Sequence, residues 1–369
     1  MISVAAAMII RDEQFFLPGC LASLQGKVDD IIVVDTGSTD DTRLIAAEFG
    51  ARTFHFDWID DFAAARNCGL DEVRADWVLY IDADERLNTP GDRPVGDFLD
   101  PEAMAAFVRF RPKLNYTTYR EPRLFRRDDR LRFSGRIHES ILPALDRIRQ
   151  TEPAPTVLTA VGIDHLGYEG DQSHKVARNV PLLQRAIVDD PNRVYYWYHL
   201  AESLATVGKI EQAQAAARRG IEAARQFPSD KQRANASMIY QFLARTHLES
   251  GRDALPLILE GLAAMPEDHA LRFIEARGRL DAGEFEVALR VAEALLEVDI
   301  PALSDGLLAF DRRIFGEFAM DLAGIAAFRL GRFAEAARHF ANAAEAAPDP
   351  APYRLKARAA HLQRPPATS

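Results

Sequence analysis

WVLYIDADERL, Trp77 to Leu87, runs four apolar residues, Val78–Ile81, straight into Asp82, Asp84 and Glu85. An apolar run of that length reads as a strand buried on both faces. Three acids at its end repel and raise one another's pKa. Such a group is either an acidic loop open to water or a site completed by a cation. Strand ends are where open α/β sheets hold their ligands, which favours the second reading.

The neighbouring sequence supplies the rest of such a sheet. SVAAAMII is a short apolar strand, and EQFFLPGCLASLQ is a helix in which Phe16, Cys20, Leu21 and Leu24 share a face. DDIIVVDTGSTDDT is a second strand ending in Asp35, then a glycine turn and a Ser/Thr/Asp cluster able to cap the helix TRLIAAEFG, which Gly50 closes. ARTFHF reads as a strand and FAAARNCGLDEV as a helix. Strand–helix–strand order at this spacing predicts a mostly parallel α/β sheet. Asp35 and the Asp82–Glu85 group then both stand at carboxyl ends of strands.

From about Asn192 the grammar changes to alanine-rich amphipathic helices punctuated by Gly208, Gly251, Gly283 and Gly331. In the last copy Gly331, Phe333, Ala336, Phe340, Ala343 and Pro348 fit a tetratricopeptide helix–turn–helix. The uneven glycine spacing makes the repeats degenerate, and a generic helical bundle is the plainer alternative. The expected organisation is an α/β domain over residues 1–170, a joining helix over 171–191, helical repeats over 192–360 and a frayed tail over 361–369.

Composition narrows the function. With 369 residues, 48% hydrophobic and 27% charged, the chain reads as globular and large enough for two cores. Its formal charge of −10 argues against a nucleic-acid or anionic-membrane binder. Two cysteines, Cys20 and Cys68, give no disulfide framework. No segment reads as a signal peptide or reaches the ~20 apolar residues of a membrane span, so cytoplasm is the expected location.

A hard divalent cation, Mg2+ or Mn2+, neutralises crowded carboxylates and shares oxygen ligands with a diphosphate. Haloacid-dehalogenase phosphatases want a threonine where Arg86 stands, and nucleotidyltransferases want glycines beside the first strand, where MIIRDEQ has none. Sugar-nucleotide transferases need an early carboxylate and a later D-x-D, and Asp35 and Asp84 supply that order.

MIIRDE, CLASL, DDIIVVDTGSTDDT, FDWIDDFAAARNCGL and DWVLYIDADERL occur in order, and together they resemble family 2 glycosyltransferases of the GT-A fold. The trailing repeats resemble the soluble, repeat-bearing branch of that family. The resemblance implies that Asp35 hydrogen-bonds the nucleotide base and that Arg66 and Asn67 lie near base and diphosphate. It implies Asp82 near ribose and metal, and Asp84 as a direct metal ligand. His165 resembles the late histidine that completes the metal shell in several such enzymes. Glu85 receives no role.

RLFRRDDRLRFSGRIHESI reads as a hairpin around RRDDR followed by a turn at Gly135. Of its arginines, Arg123 and Arg136 are candidates to stabilise a departing diphosphate, the alternative being a solvated edge. Inverting transfer needs a base for the acceptor's proton. GRIHE resembles this branch's own motif, which makes Glu139 the candidate, with His138 as the rival. The implied donor is a nucleotide-diphosphate sugar, with UDP the favoured nucleotide. The repeats are left two uses, presenting a polypeptide acceptor or making a homodimer. A scaffold with a decayed transferase domain, or a nucleotidyltransferase, are the rival functions.

Overall fold

The computed structural model describes residues 2–167, 173–226 and 229–363. The chain divides into two compact units. The first takes in the residues up to Leu114, with Thr118–Asp189 and Ser304–Ala309; the second takes in Asn115–Thr117, Asp190–Leu303 and the residues from Phe310 onward.

In the first unit an eight-stranded sheet is built from β1 (Val4–Ile10), β2 (Asp30–Asp35), β3 (Arg52–His55), β4 (Trp77–Tyr80), β5 (Glu85–Asn88), β6 (Ala105–Arg111), β7 (Tyr119–Arg126) and β8 (Thr156–His165). Their order across the sheet is β3-β2-β1-β4-β7-β6-β8-β5. Helices α1 (Leu17–Leu24), α2 (Thr42–Glu48), α3 (Phe62–Asp71), α4 (Leu142–Arg149) and α5 (Ser173–Asp189) complete the unit.

Alternation along β1 explains the layering, since successive side chains of a strand point to opposite faces. Val4, Ala6, Met8 and Ile10 join Leu17, Leu21 and Leu24 of α1 in one core. Ala5 and Ala7 join Ala63 and Leu70 of α3 and Leu145 and Ile148 of α4 in the other. The sheet is therefore covered on both sides, and β4 is buried throughout.

The parallel sheet expected from the sequence is realised in β3, β2, β1 and β4. Beyond β4 the sheet is mixed, because β7 pairs with β4 and with β6 antiparallel. This corrects the hairpin expected around RRDDR. The Asp128 carboxylate accepts from Arg130 N at 2.9 Å, and Leu131 and Phe133 drop into the core, so no return strand forms there. The expected joining helix corresponds to α5, which clusters with the first unit; residues 171 and 172 lie outside the described residues, as do 364–369 of the expected tail.

The second unit is helical: α6 (Val194–Thr206), α7 (Ile210–Gln226), α8 (Asp230–Glu249), α9 (Leu255–Ala264), α10 (His269–Asp281), α11 (Phe285–Leu296), α12 (Glu317–Arg329), α13 (Phe333–Ala346) and α14 (Ala351–Leu362). Gly208, Gly251, Gly283 and Gly331 sit between α6/α7, α8/α9, α10/α11 and α12/α13, with φ of 76°, 66°, 78° and 76°. A Cβ at any of them would meet nothing within 4 Å. These glycines are therefore used for the left-handed turn, not for space. Space matters at Gly324 on α12, where a Cβ would lie 2.6 Å from the Phe340 ring. Among the described residues no helix is long and apolar enough to cross a membrane.

Candidate active site

β1 lies between β2 and β4, and the register puts Ile10 opposite Asp35 and Ala7 opposite Tyr80. Ile81 N still donates to Ala7 O at 3.2 Å, so Asp82 leaves the sheet at nearly the level of Asp35. With strands about 4.8 Å apart, the two acids stand on the order of 10 Å from each other along one edge.

Asp35 is buried. Its Oδ1 accepts from Ser38 N at 3.0 Å, while Oδ2 is buried without a hydrogen-bond partner and has Arg43 Nε at 3.9 Å. The loop after β1 is tied to the same turn. Asp12, at φ 54°, accepts from Thr39 N at 2.7 Å, and its own N donates to Ser38 Oγ at 3.0 Å. Sequence reading missed Asp12, although an aspartate just past a strand end is a common left-handed turn former.

Helix α3 starts at Asp61, whose carboxylate accepts from Ala64 N at 2.9 Å as an N-cap. Ala63, Arg66 and Leu70 follow at helical spacing on its buried face. Arg66 spans two acids: Nη2 donates to Asp82 Oδ1 at 2.7 Å, and Nε donates to Glu139 Oε1. Its guanidinium lies over Tyr80 and Phe133, 5.2 and 5.6 Å from the ring centroids. Burial works against its charge, and the two carboxylates more than restore it. Asn67, expected near the diphosphate, is otherwise engaged. Its Nδ2 donates to Phe133 O at 3.0 Å and its Oδ1 accepts from Phe133 N at 2.9 Å.

Burial would raise the Asp82 carboxyl, but Arg66 and Arg123 hold it down to about 2. Beneath it lies a pair the sequence did not announce. Glu85 and Arg123 are 1% and 5% exposed, and Nη2 and Nη1 of Arg123 donate to the two Glu85 oxygens at 2.8 and 3.2 Å. Glu85 Oε2 also accepts from Asp82 N at 2.9 Å. The role expected of Arg123 is thereby redirected, because its guanidinium is taken by Glu85 and Glu121 and stands 4.0 Å from Asp82. Glu85, which received no role from sequence, fixes the backbone of the acid turn.

His165 ends β8 opposite Glu85 in register, and its Nε2 lies 3.3 Å from Asp84 Oδ2. Burial lowers the His165 pKa, but Asp84 and its acidic neighbours raise it on balance. Two ligands of an ion with ~2.1 Å bonds at right angles stand about 3 Å apart, so this pair suits one divalent cation. Asp82 does not close the group: among the described residues, Asp82, Asp84 and His165 do not bring three ligand atoms within 4.8 Å of one another. A Cβ on Gly167 would lie 1.8 Å from Asp84 Oδ2. Gly167→Ala is therefore expected to push that carboxylate away from His165 and, where the pair holds a divalent cation, to weaken Mn2+ binding ~10–100-fold. Mn2+ titration of the folded variant by calorimetry checks this; unchanged affinity would separate Asp84 from cation binding.

Glu139 is half-buried on Arg66, while His138 beside it has φ 53°. A left-handed histidine is uncommon and marks a tightly specified turn. Arg136 is not brought into the cluster. It faces Asp61 and Asp189 at 4.0 and 3.8 Å and is largely exposed. Neither cysteine is paired; buried Cys20 donates from Sγ to Asp82 O at 3.3 Å.

A two-sided α/β sheet with acids along the carboxyl edge of its parallel strands, followed by helix pairs turned on glycine, defines a GT-A-type domain with tetratricopeptide-like repeats. Residues 6–152 match the glycosyl transferase family 2 model, and the first unit carries a domain of that family. A TPR repeat-containing protein of Synechococcus elongatus is 37% identical over 237 residues, covering 62% of this chain and 59% of its own length. The prophage-derived glycosyltransferase SunS of Bacillus subtilis is 22% identical over 224 residues, covering 57% and 51%. The chain thus spans between half and two thirds of these relatives. Glucosyl-3-phosphoglycerate synthase of Mycobacterium tuberculosis, solved with Mn2+, uridine-diphosphate and glucosyl-3-phosphoglycerate, has a TM-score of 0.35 at 18% identity, covering 50% of this chain and 80% of that one.

Proposed function

We propose that this chain is an inverting, metal-dependent glycosyltransferase that moves a sugar from a UDP-sugar to an acceptor, and that the repeats present a polypeptide acceptor. One observation carries the reading. A buried carboxylate oxygen without a hydrogen-bond donor (Asp35 Oδ2) ends one strand of the sheet, and the Asp84–His165 pair lies just past Asp82, two strands away along the same edge. A donor that reached the buried Asp35 Oδ2, such as the ring N–H of uracil, would complete its hydrogen bonding. A divalent cation on Asp84 and His165 would supply positive charge opposite a leaving diphosphate. Arg66 holds Asp82 and Glu139 in fixed relation, and Glu139 takes the proton of the attacking hydroxyl. An intact, charge-compensated acid cluster argues against a decayed domain kept only as a scaffold.

Titrating UDP into the full chain by calorimetry tests this. Tight binding with Mn2+ and loss of at least about tenfold in chelator are expected, because an acid-lined edge does not hold a polyanion alone. Equal binding in chelator would sink the metal-dependent reading.

A further inference from the structure

A second group of potential ligands lies in the helical unit, on elements that the transferase reading does not use. Glu335 and His339 stand four residues apart on α13, which puts them on one helix face. Glu293 on α11 reaches the same point, and ligand atoms of the three all lie within 4.8 Å of one another. Arg332 at the start of α13 pairs with Glu286 on α11, so the two helices are already held side by side. His339 is 7% exposed, its Nε2 is buried without a hydrogen-bond partner, and Glu293 Oε1 is 3.5 Å from that atom. A polar atom buried without a partner carries a desolvation cost that a ligand would remove. The carboxylates are half-buried, at 43% exposure for Glu293 and 27% for Glu335, so they can adjust and leave coordination positions to water.

We propose that Glu293, Glu335 and His339 form a site for a divalent transition cation that joins α11 to α13. One imidazole with two carboxylates is a nitrogen–oxygen donor set. It suits zinc or its first-row neighbours better than magnesium or calcium, which prefer oxygen ligands. With one ligand from α11 and two from α13, the cation would tie successive helical repeats, and its binding energy would add to the stability of that unit.

The test uses the full chain carrying Asp84→Asn and His165→Ala, so that the sheet-edge pair does not contribute. After chelation and dialysis, Zn2+ is titrated by calorimetry and Co2+ by its visible absorption. One equivalent is expected to bind, to give a Co2+ spectrum containing a nitrogen ligand, and to raise the unfolding temperature. His339→Gln in that background is expected to weaken binding ~100-fold and to abolish the temperature shift. Glu293→Gln, a partly exposed change that leaves the core intact, is expected to weaken binding ~10-fold or more and keeps the test open if the histidine variant misfolds. Absence of zinc binding in the background, or binding untouched by either change, would overturn the site and leave His339 an ordinary core histidine.

Discussion

Glu139→Gln is expected to slow breakdown of the donor ~10²–10⁴-fold while leaving UDP affinity unchanged, because an amide keeps the shape of the side chain and cannot take a proton. Hydrolysis of the UDP-sugar in the absence of acceptor serves as the assay, water standing in for the acceptor hydroxyl. The variant should fold. Arg66 keeps its bond to Asp82 at 2.7 Å and its stacking on Tyr80 and Phe133, and the glutamine oxygen can still accept from its Nε. The asymmetry between rate and affinity is what identifies a base; a residue that only positions the donor would change both. His138 is the internal control. If Glu139→Gln hydrolyses normally while His138→Ala is dead, the proton passes to the histidine and Glu139 serves only to hold Arg66.

Much of this site could be read from sequence because its signals are local. The apolar run Val78–Ile81 reads as a buried strand, and β4 takes up Val78 to Tyr80, so the acids that follow stand at a sheet edge. Arg66 is legible through the resemblance that ARNCGL carries, and the helix behind the Asp61 cap then places it on the buried face. The four inter-helix glycines mark the repeats because each must adopt positive φ, a demand that the residue type itself records. What sequence could not give are partners far apart in the chain. Arg123 meets Glu85 only because β7 lies beside β4, and nothing near either residue announces that pairing. RRDDR looks like a hairpin tip because charges and turns do, yet Leu131 and Phe133 commit that segment to the core. Arg136 looked equivalent to Arg123 by composition, and tertiary contacts alone separate them.

The pair beneath the acid turn should dominate stability. Arg123→Met, which keeps most of the side-chain volume, is expected to destabilise the first unit by about 3–5 kcal/mol at neutral pH, the usual cost of leaving a buried charge without its partner. Glu85 would then lie 1% exposed beside Asp82 with only the Asp82 amide to hold it. Burial pushes its carboxyl upward and Asp82 adds to the rise, while the Arg123 guanidinium opposes both. Removing Arg123 can only raise it further. An acid whose folded pKa exceeds its unfolded value binds more protons when folded, so its contribution to stability falls as pH rises from about 4.5 through the folded pKa. The deficit of Arg123→Met relative to the parent chain should therefore be largest above neutrality and shrink as pH is lowered towards about 5. Glu85→Gln added to Arg123→Met should recover part of the loss at pH 7, since the amide carries no charge and its oxygen can still accept from Asp82 N. Urea titrations of the parent, both single variants and the double, at pH 5 and pH 8, give the coupling directly. A deficit that does not change with pH, or a double variant no more stable than Arg123→Met, would mean that lost packing against Tyr80 and Phe110 accounts for the effect and that Glu85 is neutral in the native protein.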